Sequence, residues 1–195
     1  MAAPCPPPPA PWALPLLLQA TSLRLMVLVH VGGGAGAGGL GALLRAIEAQ
    51  QPKSCDSDVG GCGAPSPPTH VLQGHPPRVF SLQLAWETSQ VAPADISATL
   101  AAVEDSLDLG ELYRGLEPGA HRYRLCSMVA YYGAHYQAFV FVPDLQRWLL
   151  FDDAAVSSVG GWGDVVRKCE AGRIQPSVLF YEAAPPPQAV PASLE

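Results

Sequence analysis

Between Arg78 and Trp86 apolar and polar residues alternate. Phe80, Leu82, Leu84 and Trp86 fall on one side and Ser81 and Gln83 on the other, the period of a half-buried strand. The pattern then changes. Pro93, a cap at Asp95, and Ile96, Leu100, Val103 and Leu107 at spacings of four, three and four predict an amphipathic helix that Gly110 stops. Strand patterns return at Tyr123–Tyr132, Tyr136–Val142 and Arg147–Phe151, with Pro143-Asp144 as the turn between the last two. Trp162, Val165, Val166 and Cys169 mark a short helix ended by Gly172, and Ser177–Glu182 is a final strand. Upstream, Ala42–Gln51 reads as a helix ended by Pro52, and residues 52–77, rich in Gly and Pro, as an irregular excursion. The order predicts an α+β fold, mostly antiparallel sheet with two or three helices.

Composition divides the chain. Seven of its 21 prolines lie within residues 1–15 and seven of its 19 glycines within 32–41. Residues 1–47 carry two charges, Arg24 and Arg45. The remainder holds nine basic and all 17 acidic residues, a net −8. The organisation expected is a poorly ordered Pro/Leu/Gly-rich leader over 1–41, a domain over 42–184 and a Pro-rich tail over 185–195. Trp12–Val31 is apolar, but Pro15, Gln19 and Arg24 interrupt it and no basic region precedes it, so neither a signal peptide nor a membrane span is expected. The acidic balance and the absence of a Lys/Arg cluster with interleaved aromatics argue against nucleic acid. Five irregularly spaced cysteines fit a reducing, cytoplasmic setting.

One pairing carries chemistry. If Pro143-Asp144 is a two-residue hairpin loop, His135 falls directly opposite Asp152, with Cβ atoms about 4.5–5.5 Å apart on one face. A carboxylate there fixes the imidazole tautomer and raises its basicity, the base-plus-orienter half of a nucleophilic triad. The bland alternative is a solvated histidine beside a turn-forming Asp152-Asp153 pair.

These residues have a familiar setting. Tyr131-Tyr132-Gly133-Ala134-His135-Tyr136, followed by Trp148-Leu149-Leu150-Phe151-Asp152-Asp153 and the closing Ser177-Val178-Leu179-Phe180-Tyr181-Glu182, resembles the His box of the ubiquitin-specific protease family of deubiquitinases. Ser81–Trp86, Leu109-Gly110-Glu111-Leu112-Tyr113, Trp162–Cys169 and Gln175-Pro176 bring it closest to the branch labelled inactive ubiquitin carboxyl-terminal hydrolases. The resemblance covers roughly residues 42–184 and rests on the motifs in order. It implies the His-box half of a papain-like cysteine-protease fold. It implies His135 as general base, Asp152 as the acid that orients it, Asp153 as a supporting polar residue, and Tyr136 and Trp148 as framework aromatics.

Two departures stand out. The family's nucleophilic cysteine opens a helix whose dipole favours thiolate, and nothing here matches that box. Cys5 lies in a proline run, while Cys126 and Cys169 sit in regular elements. The residue before His135 is Ala134, where the family has Gly. The expectation is therefore a ubiquitin carboxyl-terminal hydrolase-like chain, inactive as it stands, that binds ubiquitin, a ubiquitinated protein or another protein partner. The alternative is an active cysteine-type deubiquitinase. No cofactor is expected. Cys55 and Cys62, in the place of the family's zinc-binding fingers, are candidate metal ligands, with His70 and His75 to complete a set, but six residues separate the pair where zinc motifs have two to four.

Overall fold

The computed structural model describes residues 21–26, 40–41, 44–45, 52–66, 70–72, 74–86 and 91–185. The proline run with Cys5, most of the glycine stretch, residues 46–51 of the expected first helix and all of the tail after Pro185 lie outside them. Eight strands form the main sheet: β1 (Thr21–Met26), β5 (Val79–Ala85), β6 (Ser106–Asp108), β8 (Arg122–Tyr132), β9 (His135–Val142), β10 (Arg147–Asp152), β11 (Ala155–Gly160) and β12 (Gln175–Ala183). Their order is β1-β5-β12-β8-β9-β10-β11, with β6 also alongside β8. Among the described pairs of this sheet, only β1–β5 is parallel. Besides the helical residues 40–41 and 44–45, the described residues hold the α-helices α1 (Pro93–Ala102), α2 (Leu109–Leu112) and α3 (Trp162–Gly172). Two-residue strands β2 (Lys53–Ser54) and β3 (Pro65–Ser66) pair with each other, and β4 (His70–Val71) pairs with β7 (Tyr113–Arg114). The predicted α+β, mostly antiparallel architecture is the one observed.

Alternation explains the layering. Leu179, Met128, Phe139 and Leu150 pair in a row across β12, β8, β9 and β10, and all four are buried. The helices pack on this face: Ile96 and Leu100 of α1 and Val165 and Cys169 of α3 join the same core. The next row, Val178, Val129, Ala138, Phe151 and Val156, points to the other face and is half-buried to exposed. The buried Tyr181 hydroxyl is satisfied, its Oη donating to the Glu104 carbonyl at 3.1 Å.

Several expectations need correction. Thr21–Met26, assigned to a poorly ordered leader, is an edge strand. Its Ser-Leu-Arg-Leu alternation suits a strand, and it pairs with the N–H and C=O groups that β5 otherwise leaves open. The first predicted helix begins earlier, since Leu40 and Leu44 are helical and buried. Asp95 is not the cap of α1. Ala92 holds that position, Pro93 opens the helix, and Asp95 lies in the first turn. Leu107 reaches the core from strand β6 rather than from the helix face, because α1 ends at Ala102. Gly172 does not stop α3; Arg173, with φ 52°, does. Strand β11 (Ala-Val-Ser-Ser-Val-Gly) has no clear periodicity and was not predicted. Among the described residues, no helix is long and apolar enough to cross a membrane.

Gly133 and Ala134 join β8 to β9 as a two-residue turn, with φ 54° and 72°. Both angles are left-handed, the geometry of the hairpin turn that favours glycine at its second position. Ala134 therefore carries a Cβ penalty of roughly 1 kcal/mol. Ala134→Gly is expected to raise the unfolding free energy by about 1 kcal/mol and Tm by about 2–4 °C, read by thermal melts.

The buried thiol makes a second prediction. Burial pushes Cys169 from an ordinary value of 9.0 up to about 12, and Lys168 offsets this only in part. The unfolded thiol ionises first, so its contribution to stability is complete below about pH 9 and is lost as pH rises through about 12. Burial pushes Tyr181 and Cys126 in the same direction. Stability measured by urea unfolding should fall steadily above pH 9, and Cys169→Ala should flatten that fall.

Candidate active site

His135 opens β9 and Asp152 closes β10, so two antiparallel strands bring residues 17 apart to one end of the sheet. His135 Nε2 lies 2.6 Å from Asp152 Oδ1. An ionised carboxylate only accepts, so Nε2 carries the proton and donates it. Nδ1 is then the basic nitrogen, and it has no hydrogen-bond partner among the described residues. The two side chains are 37% and 43% exposed, which places them at the surface rather than in the core.

The register behind this contact differs from the expected one. The β9–β10 loop is four residues long, with a 3-10 turn over Pro143–Leu145 and Gln146 at φ 49°. Val142 pairs with Arg147, and Phe151 with Ala138. The pairing is displaced by two positions from a two-residue hairpin, so His135 and Asp152 are diagonal rather than direct neighbours. An even displacement keeps both on the same face, and a diagonal pair remains within reach of long side chains. The hydrogen bond survives the error in loop length.

The residue that this register places opposite Asp152 is Gln137. It is buried, and its Nε2 donates to Asp152 Oδ2 at 3.3 Å. Gln137 thus holds the second carboxylate oxygen while His135 takes the first. The sequence reading missed this residue. Its signal was a polar side chain two positions after His135, hence on the same face, in a strand otherwise apolar on that side. Its Oε1 is buried without a partner among the described residues.

Asp153 begins the β10–β11 turn, at φ 49°. The ligand atoms of His135, Asp152 and Asp153 all lie within 4.8 Å of one another, so the three predicted site residues converge. Trp148 is buried between Phe141 and Trp162, with ring centroids 5.7 and 5.1 Å away, and pins the far end of β10 against α3. Tyr136 points to the opposite face, 62% exposed and edge-on to Tyr131.

The four described cysteines lie elsewhere. Cys126 is on β8, where its Sγ donates to the Phe180 carbonyl at 3.3 Å; burial, then the Glu182 carboxylate, push its thiol up. Cys169 is wholly buried in α3. Cys55 and Cys62 flank the Ser57–Val59 3-10 turn, in a loop closed by Gly63 N–H to Cys55 O at 3.0 Å and Cys55 N–H to Ala64 O at 2.9 Å. Among the described residues, neither belongs to a group of three or more convergent metal ligands, and the structure does not bring His70 and His75 to them as a set.

Comparison with known proteins gives the family. The family model for ubiquitin carboxyl-terminal hydrolase matches residues 45–181. Ubiquitin carboxyl-terminal hydrolase 54 of Rattus norvegicus is 33% identical over 123 residues, 61% of this chain and 7% of that protein. Ubiquitin carboxyl-terminal hydrolase 53 of Homo sapiens is 34% identical over 110 residues, 54% of this chain and 10% of that protein. The chain thus spans a tenth or less of the length of these relatives. Among solved structures, the SAGA Ubp8/Sgf11/Sus1/Sgf73 DUB module is similar at 21% identity and a TM-score of 0.38, covering 56% of this chain and 24% of that one. A second structure of that module is bound to monoubiquitin. The solved structures are too distant to bear on function, whereas the family match spans well over half of the sequence. On that match, the chain belongs to the ubiquitin carboxyl-terminal hydrolase family.

Proposed function

We propose that this chain is a ubiquitin carboxyl-terminal hydrolase-like protein that binds ubiquitin or a ubiquitinated partner in the cytoplasm without hydrolysing it. In this reading His135 is a general base, Asp152 orients it and Asp153 supports the site, but among the described residues no cysteine opens α1, α2 or α3 to receive its action. The observation that carries the reading is the state of the thiols beside an intact His135–Asp152 pair. A nucleophilic cysteine needs a depressed pKa, commonly at a helix N-terminus. Cys126 and Cys169 are pushed the other way by burial, and no cysteine opens α1, α2 or α3. In a Ser/His/Asp protease, loss of the nucleophile alone costs about as much as loss of the whole triad.

Partner binding is supported by the sheet face away from the helices. Its row of Val178, Val129, Ala138, Phe151 and Val156 is half-buried to exposed, the kind of apolar surface that a protein partner covers. The net −8 of residues 48–195 favours a basic partner surface.

A second reading, an active cysteine-type deubiquitinase, is favoured by one feature. The base is already oriented at 2.6 Å and braced by Gln137, so a thiol brought to Nδ1 completes the constellation. The readings separate in one experiment. Purified, folded chain is incubated with a ubiquitin bearing a thiol-reactive electrophile at its C-terminus, and ubiquitin binding is measured in parallel. No covalent adduct with retained binding is expected. Labelling at a single cysteine, abolished by His135→Ala, establishes the active enzyme instead.

A further inference from the structure

We propose that His135, Asp152 and Asp153 form a divalent transition-metal site of the zinc type, with water completing the coordination. The proposal rests on the geometry of these three residues and is independent of whether the chain hydrolyses ubiquitin.

The donor set is one imidazole and two carboxylates, all ligands that zinc accepts. Three protein ligands plus solvent is the arrangement of open zinc sites, and the partial exposure of His135 and Asp152 leaves room for the water. Tetrahedral ligands about 2.0–2.1 Å from an ion sit roughly 3.3 Å apart. The donor atoms here are all within 4.8 Å of one another; His135 Nε2 and Asp152 Oδ1, 2.6 Å apart, must open by less than about 1 Å, while Asp153 closes by a movement on the order of 1 Å. Asp153 can supply that movement. It is exposed, makes no hydrogen bond or ion pair among the described residues, and is presented by a turn whose left-handed φ suits Asp.

Electrostatics and outer contacts point the same way. Asp152 and Asp153 adjoin each other with no Lys or Arg paired to either among the described residues. Gln137, more than nine-tenths buried, holds Asp152 Oδ2 and leaves Oδ1 directed at the imidazole. Such outer hydrogen bonds to ligating carboxylates orient them and tune affinity. On binding, the ion takes the place of the proton between His135 Nε2 and Asp152 Oδ1. That proton moves to Nδ1, or to solvent if the imidazole was doubly protonated. The nitrogen that the Asp152 contact otherwise leaves basic is then protonated, so metal binding and base catalysis are alternative uses of one site.

The test uses the full chain, stripped of metal by chelator, titrated with zinc chloride by calorimetry and with Co2+ by visible absorption. The double variant Cys55→Ser/Cys62→Ser removes the competing thiols. It is expected to retain a one-to-one zinc isotherm at micromolar concentration and Co2+ bands without a thiolate charge-transfer band. Asp153→Asn in this background keeps the turn, since Asn tolerates left-handed φ, and should weaken zinc at least tenfold. His135→Gln should do the same. Zinc binding that is absent from the unmodified chain, that vanishes in the cysteine double variant, or that neither Asp153→Asn nor His135→Gln weakens would overturn the proposal.

Discussion

The hydrogen bond from His135 Nε2 to Asp152 Oδ1 requires two strand ends to be held at one depth and on one face. Everything around it serves that requirement. The β8–β9 turn at Gly133-Ala134 delivers His135 as the first residue of β9. The β10–β11 turn at Asp153 ends β10 just after Asp152. Between these ends, the pairs Phe139–Leu150 and Phe141–Trp148 lock the register by burial on the helix-facing side. A slip of one residue would send Asp152 to the outer face and expose Trp148. The hydrophobic effect thus fixes a polar contact at the end of the strands, where burial itself is incomplete.

The same burial also acts on two of the thiols, Cys126 and Cys169. The core that aligns β9 with β10 encloses Cys169, and the β8–β12 pair partly covers Cys126. Removing a thiol from water penalises its charged form, so the elements that build the base–acid pair suppress ionisation of the cysteines within them. The convergence of His135, Asp152 and Asp153 permits other chemistry as well. An oriented carboxylate, an imidazole and a second, unpaired carboxylate form a donor set for a cation as readily as a partner for a nucleophile.

Much of this was legible in the chain. Clean alternation gave β5, and the long apolar runs gave β8, β9 and β10 nearly to their ends. The elements that escaped are those whose formation depends on neighbours. Strand β11 is an edge strand with little apolar content, β1 finds its place only because β5 has an open side, and β6 interrupts what sequence spacing makes look like one helical face. At the site, the face shared by His135 and Asp152 was readable because side-chain direction depends only on parity. The loop length was not, since Gln146 adopts a left-handed conformation that nothing in Pro-Asp-Leu-Gln announces. That error hid Gln137, the residue which the actual register sets opposite Asp152. Family resemblance supplied roles for His135, Asp152 and Asp153, and the folded chain brings those three together.

The claim at the centre is an imidazole oriented by Asp152 with Nδ1 left basic, and nitrogen-15 NMR of the histidine side chains reads it directly. In the neutral form, His135 should show a protonated Nε2 and an unprotonated Nδ1, and Asp152→Ala should erase that preference. A predominant Nδ1–H tautomer, or an Nε2–H preference unchanged by Asp152→Ala, would contradict it.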